Sequence, residues 1–166
     1  MISIRPATID DGPAYRRLRE RIDGESDTWG ADPGERYVSD EEAQTFLQSV
    51  LAEPNSRLLL VEEGGGAVGF LLAVAGKWRR ARHAVSVDVG ILASHCGRGL
   101  GERCFIELED WARAQGIRRL ELFVRESNQR ARRLYEKRGF EIEGIRRGSL
   151  RIGNDYFNEV WMAKLL

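Results

Sequence analysis

The chain is poor in sulfur and proline and carries no excess charge. Its 166 residues include two cysteines, two methionines and four prolines. Two thiols cannot staple a disulfide framework, and the N-terminus, MISIRPATIDDG, lacks the apolar core of an export signal. Reduced cysteines in the cytoplasm are therefore expected. No Cys, His and carboxylate cluster shares a metal-ligand spacing, so no metal is expected either. Twenty-six basic residues face 26 acidic ones, and no global field draws nucleic acid or an anionic membrane. The longest apolar stretches, such as Leu58 to Val61, are far too short to cross a bilayer. Repeats and low-complexity tracts are missing. The length fits a single domain, 1–166, that buries about 70% of its unfolded surface.

What is present is an alternation of strand-like and helix-like segments. Ile2 to Arg5 alternates as a short strand, and Thr8 can cap a helix carrying Tyr15, Leu18, Arg19 and Ile22 on one face. Residues 23–37, rich in Gly, Asp and Pro, read as loop. Ser39 opens a second helix with Glu42 completing a capping box, and Pro54 and Asn55 stop it. Strands follow at Arg57–Glu63, Ala67–Ala75 and Ala84–Leu92, the first two joined through Gly64-Gly65-Gly66 as an antiparallel hairpin. A helix from Gly99 has Leu100, Cys104, Leu108 and Trp111 as its buried stripe and Gly116 as its stop. A strand at Leu120–Val124, a short helix from Asn128 to Lys137 and two closing strands, Glu141–Leu150 and Asp155–Lys164, complete a mixed α/β sheet. The strand–helix–strand unit from 84 to 124 should be parallel, and function is expected to centre there.

That unit contains His95-Cys96-Gly97-Arg98-Gly99-Leu100-Gly101 between an apolar strand and an amphipathic helix. Glycines permit a tight turn, and the free amides and dipole of a helix start suit a diphosphate. Arg98 could add a charge-assisted contact. A P-loop would need Gly-Lys-Ser/Thr, which is missing. A dinucleotide fingerprint would put its third glycine at 102, where Glu102 stands, and would lie in the first βα unit rather than after three strands.

The same residues resemble the GNAT superfamily of acetyltransferases. Cys96-Gly97-Arg98-Gly99-Leu100-Gly101 is similar to its pyrophosphate loop, Arg/Gln-x-x-Gly-x-Gly/Ala, everywhere but the first position. Residues 128–140, NQRARRLYEKRGF, resemble its N-x-x-A-x-x-L-Y-x-x-x-G-F block. The ending GNDYFNEVWM, 153–162, is similar to the G-x-Y-x-D-E-x-x-M pattern of bacterial amine and amino-acid acetyltransferases in the family. The resemblance spans nearly the whole chain and is strongest from 84 to 140. It implies a GNAT fold: a mixed, mostly antiparallel sheet of about seven strands with about four helices, splayed between strands 4 and 5 around acetyl-CoA. Pantetheine would pair with the backbone of Ile91, Leu92 and Ala93. The amides from Gly97 to Gly101, with Cys96, Asn128, Arg130 and Ala131 nearby, would hold the cofactor. Cys96 departs from the pattern: its amide is unaffected, one side-chain contact is lost, and direct transfer needs no thiol nucleophile. A homodimer is one assembly that the family allows, although no motif specifies an interface.

Thioester aminolysis needs a neutral amine, a stabilised oxyanion and a proton for the departing thiolate. Tyr135 matches the family tyrosine aimed at the sulfur; the competing reading is a core aromatic on an amphipathic helix. Asn128 could reach the pantetheine arm or merely cap its helix. An amide near Ile91, where the strand would bulge, is the expected oxyanion donor. Ser86 and Asp88, on one face of the strand before the loop, are the candidate bases. Between Glu20 and Glu42 nine acidic residues outnumber two basic ones, either a mouth that draws cationic amines or a solvated loop. Trp29 and Tyr37 could wall that mouth. The basic run Lys77–His83 reads as a hairpin tip. Four functions compete: a small-molecule amine or amino-acid N-acetyltransferase, a protein N-terminal or lysine acetyltransferase, a non-catalytic acyl-CoA sensor and, least favoured, a nucleic-acid binder.

Overall fold

The computed structural model describes residues 1–166. In chain order it has β1 (Ile2–Pro6), α1 (Gly12–Glu25), α2 (Asp40–Leu51), β2 (Arg57–Glu63), β3 (Gly66–Ala75), β4 (Ala84–Ile91), α3 (Leu100–Ala114), β5 (Arg119–Arg125), α4 (Gln129–Lys137), β6 (Glu141–Ile152) and β7 (Asp155–Leu165). The seven strands make one sheet in the order β1-β2-β3-β4-β5-β7-β6, antiparallel except where β4 meets β5. The expected α/β architecture of seven strands and four helices is present.

In β2, Leu58, Leu59, Leu60 and Val61 are at most 2% exposed, so both faces of this strand are covered. That is why its apolar run is continuous instead of alternating. Tyr15 of α1 sets its ring edge against Phe70 of β3, with 5.5 Å between centroids. Phe105 of α3 meets Tyr135 of α4 edge-on at 5.7 Å. Beyond the helices, β6 is a charged edge strand whose pairing with β7 shifts register twice, features that discourage further strand addition.

The feature that matters for function is a contrast in pairing. β3 and β4 stay in register over seven pairs, from Gly69↔Ile91 to Ala75↔Val85. β4 and β5 pair at only three, Ala84↔Arg119, Val85↔Leu120 and Ser86↔Glu121, and then part. The bulge expected near Ile91 is absent, because β4 never leaves β3; the strand that departs is β5.

Two helix starts differ from the sequence pattern. Thr8 introduces a 3-10 turn, Ile9–Asp11, in which the Asp11 carboxylate accepts from the Thr8 N–H at 2.7 Å, and α1 begins only at Gly12. Ser39 caps α2 through the Glu42 N–H, but the Glu42 carboxylate reaches back to Val38 N–H instead of Ser39. The loop expected from residue 23 starts at 26, since α1 runs on to Glu25. This extra turn keeps Asp23 on the helix, where it serves as a counterion to Arg19 one turn before it.

Candidate active site

The turn between β4 and α3 depends on two glycines in the left-handed region, Gly97 (φ 80°) and Gly99 (φ 73°). Side chains resist that conformation by roughly 1–2 kcal/mol. The Cys96 N–H bonds back to Ala93 O and the Arg103 N–H bonds to Gly99 O, while the six amides from Gly97 to Glu102 meet no acceptor in the protein. Six unpaired donors at a helix start make a ready anion site. Gly101 serves a different purpose: a Cβ there would stand 2.9 Å from Leu134 Cδ2, so its bare backbone lets α4 approach α3. Arg130 on α4 hangs over the turn, its Nη2 3.7 Å from where a Gly97 Cβ would sit. Its neighbours Arg132 and Arg138 point at carboxylates.

A cleft of about 440 Å³ runs from this turn into the gap between β4 and β5. It is lined by Ile91, Ala93, Cys96, Gly97, Gly99, Leu100 and Gly101 on one side. Asn128, Arg130, Ala131 and Tyr135 line the other. Tyr135 is 7% exposed. Burial, with the Asp88 charge adding to it, raises its phenol above the ordinary tyrosine range. The group therefore keeps its proton at neutral pH. Asn128 caps α4 by accepting from the Ala131 N–H at 3.2 Å, which leaves its amide NH₂ for the cleft.

The profile of the acetyltransferase (GNAT) family matches residues 20–140. A crystal structure of a GNAT-family acetyltransferase from Streptococcus pneumoniae superposes with a TM-score of 0.95 at 30% identity, covering all of both chains. The chain belongs to the GNAT family of acetyltransferases. Among curated relatives, the putative ribosomal-protein bS18 alanine N-acetyltransferase of Bacillus subtilis is 31% identical over 103 residues. That match takes in 62% of this chain and 66% of the relative, just under two thirds of its length. A putative acetyltransferase from Salmonella typhimurium, solved with its cofactor acetyl-CoA, shares the fold with a TM-score of 0.88 at 20% identity, covering 100% of this chain and 94% of that one.

Within this GNAT framework several expected contacts are displaced. Arg98 turns away from the cleft and forks onto Glu63 at 2.8 and 3.1 Å, alongside His95 at 2.9 Å. Its carboxylate partner was already in reach, so it is spent on joining the turn to β2. Of the three strand residues expected to face pantetheine, Leu92 gives its N–H to Val68 O at 2.9 Å and Ala93 gives its own to Glu25 Oε2 at 2.7 Å. Only Ile91, opposite Gly69 at a non-hydrogen-bonded position, turns its N–H and C=O toward the gap. The Cys96 thiol donates to that carbonyl at 3.4 Å.

The base candidates also separate. Ser86 is exposed at the last β4/β5 pair, outside the gap, and drops out. Asp88, two residues on, reaches the region where the strands have parted, but one of its oxygens is taken by Arg19 at 2.9 Å. The acidic loop is only partly neutralised: Asp23 pairs with Arg36, Asp27 with Arg125 and Asp40 with Arg16, while Glu25 lines the cleft with no cation beside it. Glu25, Ser26, Thr28 and Ile22 line the cleft although no motif marked them, and Trp29 does so as anticipated. Tyr37 packs instead against Tyr15 and Phe46. The basic run Lys77–His83 forms the exposed turn between β3 and β4, with Arg82 fixed to Glu53 at 2.6 Å.

Proposed function

We propose that the protein is an acetyl-CoA-dependent N-acetyltransferase that moves the acetyl group directly to a primary amine of a small molecule or amino acid. The observation that carries this reading is the row of six unpaired amides, Gly97 to Glu102, opening onto the same gap as the protonated Tyr135. Those amides and Arg130 would take the pyrophosphate. The Ile91 N–H, free at the edge of β4, would donate to the carbonyl oxygen as it gains charge. A neutral amine attacks the thioester carbon, the C–N bond forms, the nitrogen loses its extra proton to solvent, the C–S bond breaks, and Tyr135 gives its proton to the thiolate. The phenolate regains a proton from solvent through the open cleft. The two thiols, both free, suit a cytoplasmic protein.

A second reading, transfer to a protein N-terminus, is favoured by the similarity to the Bacillus subtilis relative named a putative ribosomal-protein alanine N-acetyltransferase. Calorimetric titration with acetyl-CoA, followed by thiol release across a panel of amines, amino acids and N-terminal peptides, separates the possibilities. Binding with acetylated amine product supports the proposal. Activity confined to peptides would replace it with the second reading. Binding without turnover on any acceptor would leave an acyl-CoA sensor.

A further inference from the structure

The turn between β3 and β4 lies at the far end of β4 from the cleft. The 8 residues of β4 span roughly 26 Å, with Ala84 next to the turn and Ile91 on the cleft. No carboxylate occurs between Glu63 and Asp88, while the turn carries Lys77, Arg79, Arg80 and Arg82. It therefore concentrates four positive charges on a chain whose net charge is zero. All four side chains are exposed, and Trp78 among them is 71% exposed.

The turn is braced from within. The Ala81 N–H donates to Trp78 O at 2.7 Å, and the Gly76 N–H donates to Ala84 O at 3.1 Å. A Cβ at Gly76 would stand 2.5 Å from Ala81 O, so only glycine lets the turn fold back on its stem. Arg82 meets Glu53 at 2.6 Å, and its carbonyl accepts from Asn55 Nδ2 at 3.0 Å. Arg82 is thus spent on the brace. Lys77, Arg79 and Arg80 meet no carboxylate, and the Lys77 ammonium lies 5.1 Å from the Trp78 ring centroid. Arg118, exposed and equally unpaired, adjoins them through its N–H on His83 O at 2.8 Å.

The opposite charge gathers at the other end of β4. Nine acidic and two basic residues lie between Glu20 and Glu42, and this stretch borders the cleft through Glu25, Ser26, Thr28 and Trp29. The molecule is polarised along β4. An anionic surface would draw the turn in and leave the cleft facing away. A flat partner also suits the tip better than a nucleic acid does. Single strands are held in a basic groove with several stacking aromatics, whereas this turn offers one aromatic on an exposed tip. Tryptophan settles at the headgroup level of a bilayer, and lysine and arginine beside it meet lipid phosphates.

We infer that the β3–β4 turn docks the protein on an anionic lipid bilayer, with Trp78 at headgroup level and Lys77, Arg79 and Arg80 on lipid phosphates. The docked protein keeps its cleft open to solvent. The inference stands apart from the transferase reading, since no step of the chemistry enters it.

The test is sedimentation of the full-length protein with vesicles of phosphatidylglycerol and phosphatidylcholine in equal parts, against phosphatidylcholine alone. Binding is expected to the anionic vesicles only, and about 0.5 M sodium chloride should release it. The double variant Arg79→Gln, Arg80→Gln should lower the partition constant by about 30-fold, roughly fivefold for each charge. Trp78→Ala should remove the blue shift of tryptophan emission on anionic vesicles, because the other three tryptophans are partly buried. Both variant proteins should keep the wild-type thermal melt and acetyl-CoA affinity, since these side chains are exposed and far from the cleft. Equal binding to both kinds of vesicle, or undiminished binding of the double variant, would overturn the inference. No sedimentation with either vesicle would overturn it too, and capture of poly-uridine RNA in its place would make the turn a nucleic-acid contact.

Discussion

Two regions beside β4, the glycine turn on the α3 side and the Arg19–Asp88 pair on the α1 side, are built from different materials. The α3 side is made of backbone: six amides that a pair of left-handed glycines leaves unpaired, with Arg130 above them. The α1 side is made of side chains drawn from distant parts of the chain, with Arg19 of α1 bonded to Asp88 of β4. A backbone site tolerates change in its side chains, and Cys96 stands in the turn without closing any of the six amides. A side-chain site fails when one ion pair is cut.

The sharpest way to break the comparison is at Tyr135, which lines the cleft and feels the Asp88 charge. Tyr135→Phe should lower kcat by about 100-fold or more, the usual contribution of a general acid, while calorimetry finds the acetyl-CoA affinity unchanged. An equal loss of affinity would make Tyr135 part of the cofactor-binding surface instead of the chemistry.

The next effect belongs to the turn. Gly99→Ala forces a Cβ into a left-handed residue (φ 73°), although nothing lies within 4 Å to clash with it. The strain of about 1–2 kcal/mol should appear as roughly tenfold weaker acetyl-CoA binding. Kinetics with saturating acetyl-CoA should stay near wild type. Arg130→Ala should act in the same direction but less, by about three- to tenfold for one exposed charged contact, and high salt should erase part of the difference.

The smallest effect lies outside both regions and serves as a control. The Arg5 guanidinium, followed by weaker hydrogen bonds from Thr8, holds the Asp11 carboxyl down from 3.8 to about 2. Its folded value lies below its unfolded one, so its stabilisation is present above pH 3.8 and is lost as pH falls toward about 2. Asp11→Asn should flatten thermal stability over that acid range and leave acetyl-CoA binding intact.

Much of the fold and half of the site were legible in the residues. Leu58 to Val61 announced a strand buried on both faces, and Gly116 and Gly139 ended the helices they were expected to end. The turn at Gly97–Gly101 was legible because a positive φ is written in the residue type itself. Misreadings arose where a polar side chain had a choice of partners. Arg98 was expected on a diphosphate and chose Glu63, 35 positions away in sequence. The Ala93 N–H, expected on pantetheine, donates to Glu25, 68 positions away. Neither partner leaves a trace in spacing or periodicity.

By itself, then, the sequence determined the order of strands and helices, the glycine turn with its unpaired amides, and the position of Tyr135 on the inner face of α4. These follow from local rules, since φ preference, helix period and capping act over a few residues. The tertiary structure alone decided that β4 and β5 part after Ser86, that of Ile91, Leu92 and Ala93 only Ile91 keeps its N–H turned to the gap, and that Asp23, Asp27 and Asp40 of the acidic loop meet arginines. Those outcomes depend on which distant charges and edges folding brings within about 3 Å of each other, the range of a hydrogen bond.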